Sequence, residues 1–392
     1  PGGLPGFKAD IASGRGGKNS REIIKQREMI LTATFTIMAA LQAGISTLME
    51  YLSAHVLTCL VPAFFIAGAI AALLNKDIVL KYFGADAPKW LCYSVAATSG
   101  TILAVCSCTI LPMFAGIEKR GAGIGPATAF LFSGPAINLM AIILTARVLG
   151  LDLGIARAVA AVAMAVVIGL VMAAIFQKYD EKCKTGPASS AMQADMDLTE
   201  ESRPKYITGI FMAVLVSVLL VATSSAIDLL PKAIIVGALV IIAAFMMKTY
   251  YLPEEQEDFL GETWWLTKKI FPLLVVGTFI TGIIGYFLPV EWVRTIFGTS
   301  NFLACFLASV IGSLLYMPTL LEVPIVGTLF GYSSGITAAG PALSLLLAGP
   351  SLSLPSMIVI WRVIGAKKAS VYISLVVIIS TLVGMLYGAV VS

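Results

Sequence analysis

Two stretches of the chain, Cys106-Ser107-Cys108-Thr109-Ile110-Leu111-Pro112 and Tyr316-Met317-Pro318-Thr319-Leu320-Leu321-Glu322-Val323-Pro324, decide how the rest is read. Each interrupts an apolar run, 91–117 and 302–330, that is too long for one plain membrane span and carries proline near its middle. Proline has no backbone N–H and clashes with the carbonyl four residues back, so it breaks a helix at these places. A broken backbone facing lipid leaves polar groups unsatisfied, so such segments belong inside protein or beside a watery cavity, often as re-entrant hairpins.

Outward from these breaks the chain is mostly apolar. Of its 392 residues 58% are hydrophobic and 12% charged, half the charged share of about 25% in soluble domains. Windows of about 20 apolar residues, enough to cross about 30 Å of hydrocarbon, fall at 29–49, 56–74, 91–117, 124–146 and 154–176. A second group falls at 207–227, 233–247, 270–288, 302–330, 336–361 and 370–391. The composition excludes a soluble enzyme and a nucleic-acid binder, because the net +4 comes from charges that lie mostly between the apolar runs. The expected architecture is an all-α polytopic membrane protein. Its parts are a cytoplasmic N-terminal tail (1–28), a first transmembrane repeat (29–177), a cytoplasmic linker (178–205) and a second half (206–392). The polar stretch 1–20 has no short apolar core of the signal-peptide kind.

Lys and Arg favour the cytoplasmic side of short loops. If all eleven runs cross, 16 of the 26 basic residues lie inside. If the two broken runs enter and leave on one side, 22 lie inside, leaving Arg147, Arg157, Lys232 and Arg294 outside. The charges therefore predict nine full spans plus two re-entrant segments, N-terminus cytoplasmic, in the cytoplasmic membrane.

An internal repeat supports that arrangement. Val61-Pro62 matches Phe271-Pro272, Leu111-Pro112 matches Val323-Pro324, Ser133-Gly134-Pro135 matches Ala348-Gly349-Pro350, and Arg147-Val148-Leu149-Gly150 matches Arg362-Val363-Ile364-Gly365. The offset drifts only between 210 and 215, the mark of one duplicated unit. In the nine-span topology the two copies run in opposite directions, the plan of secondary transporters whose substrate site lies between inverted repeats.

The breaks also hold the candidate chemistry. Cys106 and Cys108 are two residues apart, a spacing that shares a face in unwound backbone, and thiolates favour soft species such as Cu(I) or trivalent arsenic. They are the expected transient metalloid ligands. Cys59, Cys92 and Cys305 read as small apolar side chains. Ser107, Thr109 and Thr319 are candidate neutral ligands. Glu322 is the only acid after Glu291; an intramembrane carboxylate is a functional candidate by default, and proton coupling is its expected role. Pro112, Pro318 and Pro324 break the first pair of segments. Gly134-Pro135 and Gly349-Pro350 are expected to break a second pair, with half-helices starting there and Asn138 and Ser353 at equivalent substrate-facing positions. Lys119 and Arg120 read as cytoplasmic anchors, and His55, the sole histidine, as an interface residue.

These motifs resemble the predicted permease family that includes the ArsP-type organoarsenical efflux permeases. The similarity rests on Cys106-Ser107-Cys108 with Leu111-Pro112, Lys119-Arg120-Gly121-Ala122, Ala129 through Asn138, Tyr316-Met317-Pro318, Glu322-Val323-Pro324, Gly349-Pro350 and Arg362-Val363-Ile364-Gly365. The resemblance implies a multi-span permease of the cytoplasmic membrane, and no cofactor is expected. The expected function is secondary-active export of a small thiophilic solute, such as a trivalent organoarsenical, across the bilayer. The alternatives are a permease or channel for a sulfur-containing or other small anion, and a membrane thiol oxidoreductase. With one histidine, no pair is available to hold haem.

Overall fold

The computed structural model describes residues 16–74, 88, 90–96, 107–177, 205–223, 228–317 and 321–391. Every element among the described residues is helical, as expected where backbone groups must bond within their own segment. Helix α1 (Gly16–Tyr51) begins well ahead of the first apolar run and passes through a π-helical stretch, Leu52–Leu60, into α2 (Val61–Ala72). The first half continues with α3 (Ser107–Lys119), α4 (Ile124–Ala136), α5 (Leu139–Val148) and α6 (Leu151–Ile175). After it come α7 (Lys205–Thr223), α8 (Leu229–Tyr250), α9 (Pro253–Tyr286), α10 (Val290–Phe297) and α11 (Phe302–Leu314). A single turn (Glu322–Pro324) and a π-helical segment (Ile325–Leu329) then lead to α12 (Ala339–Ser351), α13 (Leu354–Ile364) and α14 (Ala366–Val391).

Among the described residues five helices are long and apolar enough to cross a bilayer, and up to seven spans result if each bent pair, α4 with α5 and α12 with α13, counts as one. The charge partition asks for nine. The two runs missing from the seven are 29–49, which lies inside α1, and 56–74, whose apolar helix Thr58–Ala72 is short. The two broken runs, not counted in the nine, supply α3 and α11 with 13 residues each, about 20 Å of helix against about 30 Å of hydrocarbon. Helices of that length reach partway, so their ends need protein around them.

The duplication seen in the sequence recurs as local geometry. α4 and α12 both have 13 residues, α5 and α13 have 10 and 11, and α6 and α14 have 25 and 26. The bends between the first two members are 42° and 50°. Gly150 and Gly365, ahead of α6 and α14, hold φ at 114° and 85°, where a Cβ would clash with the chain's own carbonyl. The close helix crossings match as well. A Cβ at Gly125 would sit 2.8 Å from the Gly169 carbonyl oxygen, and one at Gly340 would sit 2.9 Å from that of Gly384. In each unit the backbones of α4 and α6, or of α12 and α14, approach as only small residues permit.

The halves interleave. α4 and α6 pack on α12, α6 also packs on α14, α3 of the first half lies on α13 of the second, and the Glu322–Pro324 turn lies on α5 of the first. Phe114, Phe130 and Phe132 of the first half and Leu345, Leu346 and Leu347 of the second belong to one continuous buried core.

The second pair of breaks falls later than its proline. Pro135 and Pro350 lie in the last turn of α4 and α12, not the first turn of α5 and α13. The helices run on to Ala136 and Ser351, because a proline this near a C-terminus deprives only one carbonyl of its partner. The following helices instead start at Asn138 and Ser353, whose side chains cap them.

Candidate coupling site at the join of the two halves

Glu322 begins the short turn after the second break and is fully buried. Its Oε2 accepts from Arg157 Nη2 at 3.2 Å, and neither side chain has solvent exposure. Arg157 lies on α6 of the first half, so the pair is a direct charge contact between the halves. Arg157 Nη1 donates to Thr145 Oγ1 at 2.9 Å, and that hydroxyl donates to the Ala141 carbonyl at 2.7 Å. Thr145 thus passes the guanidinium's orientation to the backbone of α5. Glu322 Oε1 and Arg157 Nε have no hydrogen-bond partner among the described residues.

Gly349 borders the carboxylate: a Cβ there would lie 3.2 Å from Glu322 Oε1. The equivalent contact in the first half joins Gly134 and Ile110, whose Cδ1 lies 2.8 Å from a Cβ built on the glycine. Glu322 therefore holds the position that an isoleucine holds in the other repeat. Beyond Pro324 the chain continues as the π-helix Ile325–Leu329, a form concentrated at functional positions. Its end is held by Arg294, whose Nε donates to the Leu329 carbonyl at 2.8 Å.

Thr109 is buried, while Ser107 is partly exposed at the start of α3. The backbone is helical from Ser107 through Pro112 to Lys119, so unwinding does not extend through Cys108 as the proline suggested. Pro112 is accommodated in the second turn, where it forfeits one bond to the carbonyl of Cys108. Cys106, Pro318 and Thr319 lie outside the described residues, as do the side chains of Cys108 and His55. Asn138 Oδ1 accepts from the backbone N–H of Met140 and Ala141 at 3.0 and 3.3 Å, and Ser353 Oγ accepts from that of Ser356 at 3.4 Å. Both side chains satisfy helix N-termini. Cys92 and Cys305 are buried and Cys59 is partly buried.

Lys119 forms an ion pair with Glu262 of α9 and lies 4.6 Å from the centre of the Trp265 ring, on whose face Lys269 also rests. Arg120 does more than anchor a surface. It is buried, and its Nε donates to the Ile70 carbonyl at 3.2 Å, closing the last turn of α2.

Arg157 was the partner that charge counting hid. Seven residues into an apolar helix, it counts as a loop charge in a side-to-side partition, whereas the rule applied to Glu322, that a charge within a span is functional by default, selects it equally.

Several apolar spans, two bent helix pairs and a buried charge pair between interleaved halves define a multi-pass membrane protein of the transporter type. The chain belongs to the predicted permease family ArsP_1, whose model matches residues 42–389. A UPF0718 protein of Methanocaldococcus jannaschii is 43% identical over 364 residues, covering 90% of this chain and 97% of that protein. No solved structure matches the chain.

Proposed function

We propose that the protein is a secondary-active permease of the cytoplasmic membrane that exports a small thiophilic solute, such as a trivalent organoarsenical, with Glu322 as the proton-coupling residue. The supporting observation is the buried Glu322–Arg157 pair, because it joins an element of one half to an element of the other. Alternating access moves two halves against each other around a central site, and a contact of this kind feels that movement directly. In this reading the two repeats have inverted topology, nine segments cross fully, the two broken segments are re-entrant, and the linker 178–205 is cytoplasmic. Cys106 and Cys108 bind the soft atom of the cargo, with Ser107, Thr109 and Thr319 as neutral ligands.

Everted vesicles loaded with this chain should accumulate a trivalent organoarsenical in response to a proton gradient, and a protonophore should abolish the accumulation. Glu322→Gln should leave downhill exchange but remove accumulation against a gradient. If Glu322→Gln vesicles still concentrate the solute and still respond to the protonophore, the proton travels by another group.

A further inference from the structure

The Arg157–Glu322 contact is half made. On a guanidinium, Nε–H and one Nη–H lie parallel on the same edge and match the two oxygens of a carboxylate, so a fully engaged pair forms two bonds. Here Nη2 reaches Oε2, while the neighbouring Nε and the second oxygen, Oε1, are without partners among the described residues, in a region closed to solvent. Nη1 is taken by Thr145, which is itself tied to the Ala141 carbonyl, so Arg157 is held from the far side. Oε1 faces the bend of α12, where Gly349 contributes no side chain. A buried donor and a buried acceptor left open on the two members of one ion pair are unusual in a folded protein and call for a ligand or a role.

The charge balance indicates what the ligand is. A guanidinium keeps its charge under all conditions in which the protein is folded. Should Glu322 take a proton, Arg157 becomes an uncompensated cation among apolar side chains, which is costly unless another anion arrives. Among the described residues, no other anion is placed to serve, and α14, which packs on α6, brings only the cations Lys367 and Lys368. α12 and the segment Ile325–Leu329 bring no charged residue, α5 brings only the exposed Arg147, and α6 brings Asp152 five residues before Arg157.

We infer that Arg157 is the anion-binding half of the coupling site: a small anion that presents two oxygens, a carboxylate or oxyanion, replaces the Glu322 carboxylate on the Nε/Nη2 edge as Glu322 takes up a proton. The inference rests on the proton role given to Glu322 above; the anion is a co-ion of the proton, distinct from the thiophilic solute held at Cys106 and Cys108. One proton enters with one negative charge, so the exchange leaves the buried site at its original net charge. Thr145 keeps the guanidinium in place while its partner changes. The open Nε donor offers the first bond to the incoming oxygen, and the open Oε1 offers the first place for the proton.

Calorimetric titration of the purified full chain in detergent tests this, using nitrate, acetate and thiosulfate at constant ionic strength in two buffers of different ionisation heat. At least one of the three should bind with uptake of up to one proton per chain. Glu322→Gln removes the competing carboxylate, so it should bind the same anion about tenfold more tightly with no proton uptake. Arg157→Gln should lose binding. The double variant Arg157→Gln/Glu322→Gln, with no stranded charge, keeps this readable if the single variant fails to fold, and it too should bind nothing. Absence of binding by all three anions, binding that survives in the double variant, or weakening of binding by Glu322→Gln would each overturn the inference. Binding needs no turnover, so the two readings fail separately: proton-driven organoarsenical uptake without anion binding removes this inference alone, and anion binding without uptake removes the transport reading alone.

Discussion

Replacing Arg157 with Met removes the charge that, among the described residues, faces Glu322 while keeping a long apolar stem in the same place. Both partners are without solvent exposure, so the variant strands a carboxylate, for which breaking a buried pair costs about 3–5 kcal/mol. The lost bond to Thr145 changes little, since that hydroxyl retains the Ala141 carbonyl. In a chain of this size such a loss lowers the melting temperature by an amount on the order of 5 °C. Adding Glu322→Gln removes the stranded charge, and exchanging a whole buried pair for neutral side chains of similar volume is often close to neutral. The double variant should therefore melt within about 1 kcal/mol of the parent. Thermal unfolding of the detergent-solubilised protein, followed by loss of the monodisperse peak, reads all four corners of this cycle. If Arg157→Met melts with the parent, the guanidinium does not compensate Glu322. If the double variant is as unstable as the single, the loss comes from packing and the charge argument fails.

Two further outcomes follow from the packing of the repeats. Gly384→Ala would put a Cβ 1.9 Å from Ser344 Oγ and 2.6 Å from the Gly340 carbonyl oxygen; α12 and α14 must separate, and the expected loss is about 1–3 kcal/mol, seen as a lower melting temperature, whereas Gly237→Ala, which meets nothing within 4 Å, should change it little. Asn138→Ala removes the acceptor for two backbone N–H groups at the start of α5, worth about 1 kcal/mol; Asn138→Asp should restore stability, and an Ala variant as stable as the parent would show that water caps this end.

Much of the molecule could be read from residues alone because the bilayer leaves few choices. Apolar runs of about 20 residues imply helices, and the paired motifs around Gly134-Pro135 and Gly349-Pro350 implied the duplication that recurs as matched bends, caps and glycine crossings. Glu322 could be singled out because an acid is rare and costly in such surroundings. Two local details went differently, since proline marks a weak point in a helix without specifying the residue at which the chain turns. α4 and α12 absorb their prolines in the last turn, and α3 absorbs Pro112 in its second. What only the tertiary structure decided is which groups meet. Arg157 and Glu322 are 165 residues apart, and pattern or charge count says nothing about which faces of α6 and of the second break come together. Their contact exists because the halves interleave, and that arrangement is set by side-chain packing across α4, α6, α12 and α14, a property of the assembled helices and not of any one of them.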